Sequence, residues 1–268
     1  MPELPEVETI RSCLACHQGA SIMKVEVKRP DIIRRADFEV AELNGLSIKE
    51  VKRRGKYLDL VLSSRGHLIL HMGMSGRFYQ VEEPGQIEAA HVHLVIYLSN
   101  EAVLVYQDAR RFGGVWLIKD AHDFFIHLGV EPLSRAFNTD YMVNVLKGRK
   151  TAIKTLLLDQ RLISGIGNIY ADEALFMAGL LPDRPSNSLS RKETEALVKT
   201  IKKVLRQGIE QRGTTFRDFR DGYNQMGGFQ DHLKVYGRFR EPCPTCGRPL
   251  ERVRLGGRST HYCGHCQH

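Results

Sequence analysis

Cys243-Pro-Thr-Cys246, then sixteen residues, then Cys263-Gly-His-Cys266 is the stretch that fixes one part of the fold before any other. Two Cys-x-x-Cys knuckles at this separation read as a structural zinc site. Four thiolates complete a tetrahedron and leave no position for a reactive water, so such a metal builds structure and performs no chemistry. The segment between the knuckles reads as a β-hairpin carrying Arg248, Arg252, Arg254 and Arg258. From residue 230 onward seven Lys or Arg stand against three Asp or Glu, and a zinc-stapled basic hairpin suits a nucleic-acid groove. A zinc deaminase also uses Pro-Cys-x-x-Cys, and Pro242 precedes Cys243. No His-x-Glu occurs in the chain and the second cysteine pair closes the site, so that reading fails.

The remaining cysteines, Cys13 and Cys16, precede His17 in a pattern that matches haem attachment. With no export signal, and on an amphipathic helix, they read as buried free thiols. The 268 residues are enough for two ordinary domains, with a normal 42% hydrophobic content. Lys plus Arg (39) exceed Asp plus Glu (31), a formal charge of +8 that points to a polyanionic partner. No apolar run reaches the roughly 18 residues of a membrane span, and no charged start followed by an apolar stretch opens the chain. The expectation is a soluble cytosolic protein with no membrane partner.

Residues 3–17 read as a helix, with Val7, Ile10 and Leu14 at helical spacing and Gly19 ending it. Short β-rich runs then recur at 23–27, 57–62, 67–71, 92–98, 103–106 and 114–118, the pattern of an antiparallel sandwich or barrel. Residues 131–140 lack periodicity and read as a linker. Beyond them 152–162, 168–178 and 190–212 carry helical periodicity. Ser164-Gly-Ile-Gly-Asn168 makes a tight turn opening a helix, able to aim backbone N–H groups at a phosphate. Residues 213–229, rich in Gly, Asp and Arg, read as a mobile loop. The expected domains are a mostly β domain over 1–130, the 131–140 linker, a helical domain over 141–229 that includes the loop, and the zinc finger over 230–268.

Met1-Pro-Glu-Leu-Pro-Glu6 carries chemistry of its own. Trimming Met1 makes Pro2 a secondary-amine terminus. An α-amine titrates near pH ~8 against about 10.4 for lysine, so it is a ready nucleophile for a Schiff base without deep burial. Glu3 and Glu6 stand by as acid or base partners. The plainer reading is a helix start, with Pro in the first turn and acids favoured by the macrodipole. Met74 on a Gly-flanked turn, and Arg110 and Phe112 in Asp108-Ala-Arg-Arg-Phe-Gly113, are side chains that can wedge a base stack open. Singly, each is also an ordinary core or surface residue.

Together these residues resemble the formamidopyrimidine-DNA glycosylase family, bacterial enzymes that excise oxidised purines such as 8-oxoguanine. The likeness spans the chain, through Met1–Thr9, Arg53–Tyr57, His71–Gly76, Asp108–Gly113, Thr151–Lys154, Gly165–Tyr170 and Val235–Cys266. It implies an α+β multidomain fold: an N-terminal β-sandwich, a helical domain with a helix-two-turn-helix element, and a C-terminal zinc-finger hairpin, with double-stranded DNA bound in the cleft between domains. It implies Pro2 as nucleophile on the sugar, Glu3 as general acid, Glu6 in support, Lys56 as proton donor for β-elimination and Arg258 for δ-elimination. Met74, Arg110 and Phe112 would fill the gap left by the flipped nucleotide. His91, Arg110, Arg149, Lys154 and Asn168 would contact DNA, and loop 213–229 would cover the flipped base. One Zn²⁺ through Cys243, Cys246, Cys263 and Cys266, no organic cofactor, a monomer and a bacterial cytosolic location complete the expectation.

Two alternatives stand beside it. The sister endonuclease VIII group removes oxidised pyrimidines with the same amine, but Leu4 here favours the purine group. A non-catalytic lesion-binding protein could keep the scaffold; intact Pro2, Glu3 and Lys56 argue against it.

Overall fold

The computed structural model describes residues 1–64, 66–87 and 90–268. They form two compact units, one of residues 1–127 with 209–230, the other of 128–208 with 231–268.

The first unit opens with α1 (Leu4–Leu14), where Glu3 and Glu6 close a capping box and Pro5 sits in the first turn. The strands are β1 (Ile22–Val27), β2 (Ile33–Ala36), β3 (Ile48–Arg54), β4 (Tyr57–Leu62), β5 (His67–His71), β6 (Gly76–Val81), β7 (Val92–Leu98), β8 (Val103–Asp108) and β9 (Gly114–Ile118), followed by the short helix α2 (Ala121–Phe125). One sheet runs β1-β7-β8-β6 and the other β2-β9-β5-β4-β3. Only the β2–β9 pairing is parallel among the described strands. Phe78, Leu94 and Tyr106 of the first sheet share a core with Leu58, Leu70 and Leu117 of the second, and Val7, Ile10 and Leu14 of α1 join it. This is a sandwich with a helix packed into its core.

Periodicity alone misses β2, β3 and β6. β2 is mostly exposed, and β3 reads Ile-Lys-Glu-Val-Lys-Arg-Arg with only Ile48 and Val51 buried. β6 begins on a glycine. In the β3–β4 hairpin Arg54 pairs with Tyr57, so Gly55-Lys56 is the whole turn, and Gly55 supplies the positive φ of 57° that it needs.

The second unit holds α3 (Thr139–Leu146), α4 (Ile153–Leu157), α5 (Asn168–Ala178), most of α6 (Arg191–Glu210) and the hairpin β10 (Glu251–Leu255) and β11 (Arg258–Tyr262). α6 buries Leu197, Ile201, Val204, Leu205 and Gly208, an i, i+4, i+7 stripe. The segment read as a linker contains the fully buried Phe137 and Asn138, which caps α3 by accepting from Tyr141 N at 2.9 Å. The helix expected over 152–162 stops at Leu157. Beyond it the backbone is extended at Ile163, bridging Val130, with Val130 N on Leu162 O and Ser164 N on Val130 O.

Residues 213–229, read as a mobile loop of the helical domain, group with the first unit and are pinned there. Gln80 N donates to Gly222 O at 2.8 Å, and Arg77 Nε to Asp218 O at 2.8 Å. Among the described residues no helix is long and apolar enough to cross a membrane.

Candidate functional site

At the head of α1, Pro2, Glu3 and Glu6 are all buried, and so is Lys56 at the β3–β4 turn. Glu6 accepts from two backbone amides, Glu3 N at 2.8 Å and Thr214 N at 2.7 Å, so one carboxylate ties the N-terminal segment to the start of the 213–229 loop. Gly213 leaves room for this: a Cβ there would stand 2.9 Å from Glu6 Cγ. The α-amine, carried here by Met1, titrates below its ordinary value. Burial is the main cause; Glu3 and Glu6 oppose it, and Lys56 and Arg110 push the same way. Terminus, two carboxylates, lysine and arginine thus share one electrostatic field. An amine that is buried and loses its proton more easily is a better nucleophile at neutral pH.

The Met74 turn and the Arg110–Phe112 turn are braced against each other. Asp108, wholly buried, accepts from Ser75 Oγ at 2.5 Å and from Gly113 N at 2.9 Å. Gly73, at φ 58°, lies so near Gly113 N and Phe112 that any Cβ would overlap them. From this frame Met74 and Phe112 project 39% and 62% exposed, large apolar side chains held in solvent by a rigid base. Arg110 lies over the Phe112 ring at 5.6 Å and reaches Asp218 of the loop at 3.8 Å. His91 is exposed and its carbonyl accepts from Asp108 N at 3.0 Å, which fixes it beside the same turn.

In the second unit Arg258 opens β11 just after the Gly256-Gly257 turn and is exposed at the hairpin tip. Asn168, the first residue of α5, donates through Nδ2 to Ser259 O at 2.9 Å, while its buried Oδ1 has no hydrogen-bond partner. Arg149 is exposed. Lys154 departs from the reading of it as a DNA contact: it is 1% exposed, ion-paired with buried Asp172 at 2.6 Å, and donates to Thr260 Oγ1 at 2.8 Å and Ser259 O at 3.0 Å. Helical periodicity cannot show that an ammonium faces inward, and here a buried carboxylate draws it in. Lys154 and Asn168 therefore hold the same carbonyl, one residue beyond Arg258.

The four finger sulfurs all lie within 4.8 Å of one another, with Cys243–Cys266 at 3.9 Å and Cys246–Cys263 at 3.6 Å. Zn–S bonds of about 2.3 Å in a tetrahedron require S···S edges of roughly 3.8 Å, so the thiolates present fit one Zn²⁺. Cys243 and Cys263 pack with Val235 and Leu250. Glu173 fastens the segment entering the finger, accepting from Lys234, Val235 and Tyr236 N at 2.8 to 2.9 Å.

Sequence comparison matches this arrangement piece by piece. Residues 1–115 match the formamidopyrimidine-DNA glycosylase N-terminal domain, 128–220 the formamidopyrimidine-DNA glycosylase H2TH domain, and 240–268 the zinc finger found in FPG and IleRS. The formamidopyrimidine-DNA glycosylase of Syntrophomonas wolfei is 57% identical, with all of both chains covered. The chain belongs to the formamidopyrimidine-DNA glycosylase family. That of Klebsiella pneumoniae is 45% identical, again with all of both chains covered. Among solved structures the fold is similar to MutM (Fpg) from Thermus thermophilus, with TM-score 0.88 and 40% identity over 99% of this chain and 98% of that one. It is also similar to Lactococcus lactis Fpg in complex with a DNA containing N7-benzyl-Fapy-dG, with TM-score 0.92 and 33% identity over 99% of each chain. The α+β fold of β-rich domain, helical H2TH domain and four-cysteine zinc finger is that of the glycosylase family.

Three residues of this family member escape a reading by motif. Ser75, Asp108 and His71 stand inside sequence motifs, yet only the structure shows Ser75 and Asp108 bracing the Met74 and Phe112 turns. His71, at the end of β5, accepts from Gly73 N at 3.2 Å and has its pKa pushed down to about 4, first by burial and then by Lys56 and the N-terminus. The imidazole therefore stays neutral at neutral pH. Its signal in the sequence is only its place beside the Met74 turn.

Proposed function

We propose that this chain is a bifunctional DNA glycosylase and AP lyase of base excision repair that removes oxidised purines, 8-oxoguanine and formamidopyrimidines, from duplex DNA. It acts as a monomer in the bacterial cytosol, with zinc as its only cofactor. The observation that carries the reading is the cluster at the head of α1, where Pro2, Glu3, Glu6 and Lys56 are all buried and the adjoining terminal amine titrates below its ordinary value.

In this account removal of Met1 frees the Pro2 nitrogen. A base inside the stack is out of its reach, so the nucleotide must rotate out at a cost of a few kcal/mol. Met74, Arg110 and Phe112 offset that cost by filling the gap. The Pro2 nitrogen attacks C1′ while Glu3 delivers a proton to the sugar, the glycosidic bond breaks and the base leaves. The resulting Schiff base acidifies C2′–H. Loss of that proton expels the 3′ phosphate with Lys56 as proton donor, and a second elimination assisted by Arg258 expels the 5′ phosphate. Glu6, bonded to the amides of Glu3 and Thr214, supports the sugar from a fixed position. His91, Arg149 and Asn168 take phosphate contacts, with Arg110 also facing the orphaned cytosine. Lys154 serves that surface by holding the Ser259 carbonyl.

The test is excision from duplexes carrying 8-oxoguanine or an oxidised pyrimidine, with native protein and Pro2→Gly. Purine excision dominates and Pro2→Gly stops nicking while DNA binding persists. Preference for the pyrimidine supports the endonuclease VIII reading, and nicking unaffected by Pro2→Gly supports neither enzyme.

A further inference from the structure

Two cysteines lie outside the zinc finger, and Cys13 lies against the 213–229 loop. Cys13 is in the last turn of α1 and buried; Cys16, also read as buried, is in the helical turn that follows and exposed, because its side of that turn faces solvent. Ala15 between them keeps right-handed helical geometry, φ −61° and ψ −24°. Helical spacing sets such Cα atoms about 5 Å apart, within the roughly 4.4–6.8 Å that a disulfide spans.

Each thiol touches what holds the loop. Arg212 Nη2 donates to Cys13 Sγ at 3.6 Å, and Arg212 Nε donates to Asp221 Oδ2 at 3.0 Å. Tyr223 Oη donates to Cys13 O at 3.4 Å. Gly222 lies so close that a Cβ there would stand 2.5 Å from Cys13 Cβ. Cys16 Sγ donates to Cys13 O at 3.2 Å and lies 3.9 Å from Oε1 of Gln80, whose own backbone N holds Gly222 O. Cys13, Arg212 and Tyr223 also border a hollow of about 310 Å³ with Thr9, Ser12 and Ile209, which gives these side chains room to rearrange.

We propose that Cys13 and Cys16 form a dithiol modification site, in which a peroxide drives closure of a Cys13–Cys16 disulfide and the disulfide loosens the 212–223 segment. The Cys16 sulfur attacks the peroxide, the O–O bond breaks, one oxygen stays as a sulfenic acid and the other leaves as water. The Cys13 sulfur then displaces that hydroxyl, the S–S bond forms, and the Cys13 proton leaves with the hydroxyl as a second water. Two thiols lose two electrons and one hydrogen peroxide becomes two waters. Cys16 reacts first because it is exposed. Burial, and then Asp221, push the Cys13 thiol up against the pull of the Gly222 amide and Arg212, so Cys13 waits as the resolving partner. Pairing turns its sulfur away from Arg212, so the segment loses the Arg212–Cys13 contact that ties it to α1. Any effect on excision rests on the proposed base-covering role of the loop; the disulfide does not.

The test treats full-length, zinc-loaded protein with graded hydrogen peroxide, below the dose at which a chromogenic chelator detects released zinc. The expected result is a Cys13–Cys16 peptide lighter by two hydrogens, tryptic cleavage after exposed Arg217 several-fold faster, and reversal of both by a thiol reductant. Cys16→Ser, at an exposed position that leaves the buried Cys13 in place, shows neither change. Oxidation of Cys16 to a sulfinic acid without cross-linking overturns the proposal, and so does a disulfide that leaves cleavage at Arg217 unchanged. A loosened loop with 8-oxoguanine excision unaltered supports the thiol site and contradicts the base-covering role.

Discussion

Single residues here divide into those that must face water and those that must not. Lys154 and Arg149 carry the same charge, but Lys154 is sealed against Asp172 while Arg149 is exposed. Lys154→Met leaves a buried carboxylate uncompensated and is expected to cost about 3–5 kcal/mol. Arg149→Met is expected to leave stability within about 0.5 kcal/mol and to reduce the salt dependence of DNA binding by the share of about one phosphate. Chemical denaturation and a salt titration of each variant check this pair. His71 makes a prediction in pH. Its folded pKa of about 4 lies below the unfolded value of 6.5, so the unfolded chain binds its proton first. The contribution of His71 is complete above pH 6.5, falls as pH drops, and is lost below about 4, amounting to roughly 3 kcal/mol. His71→Phe should flatten the stability profile across that window; an unchanged slope contradicts the burial assigned to this ring.

At the scale of elements, the site depends on turns held rigid from behind. Gly73→Ala forces a Cβ into Gly113 N and Phe112 at a residue with φ 58°. It is expected to displace Met74 and Phe112 together and to cut excision from duplex at least ~10-fold, about 1.4 kcal/mol of transition-state stabilisation. The loss should be smaller on a lesion opposite a mismatch, which unstacks more easily. The zinc finger depends on metal in the same way, since β10 and β11 are a single hairpin whose core is largely the thiolates themselves. Stripping zinc with a chelator is expected to melt the hairpin, exposing its amides to hydrogen exchange. The elements also show what a sequence can carry. β4, β5, β7 and β9 are legible because buried residues fill them. β3 is not, because an edge strand with two buried side chains in seven residues has almost no apolar pattern. α4 is shorter than its periodicity: the chain turns over 158–162 and is then held at Ile163 by a bridge to Val130, a contact some thirty residues back that no local window contains. The candidate site follows the same division. Pro2, Lys56, Arg258 and the four cysteines stand out by motif, whereas Asp108, Ser75 and the inward turn of Lys154 are decided by partners distant in sequence.

At the scale of the whole molecule, a net charge of +8, a structural zinc site and a buried Pro2 beside a terminal amine of lowered pKa form one account. On the proposed reading the chain holds DNA by phosphate contacts and reacts with it through nitrogen. The central claim is that this nitrogen belongs to Pro2. The measurement that tests it most directly is borohydride trapping of the protein on a duplex with one 8-oxoguanine opposite cytosine, followed by mass mapping of the crosslinked peptide. A reduced adduct on Pro2, with Met1 absent, is the predicted result. An adduct on Lys56 or any other lysine, or intact binding with no adduct at all, contradicts the account.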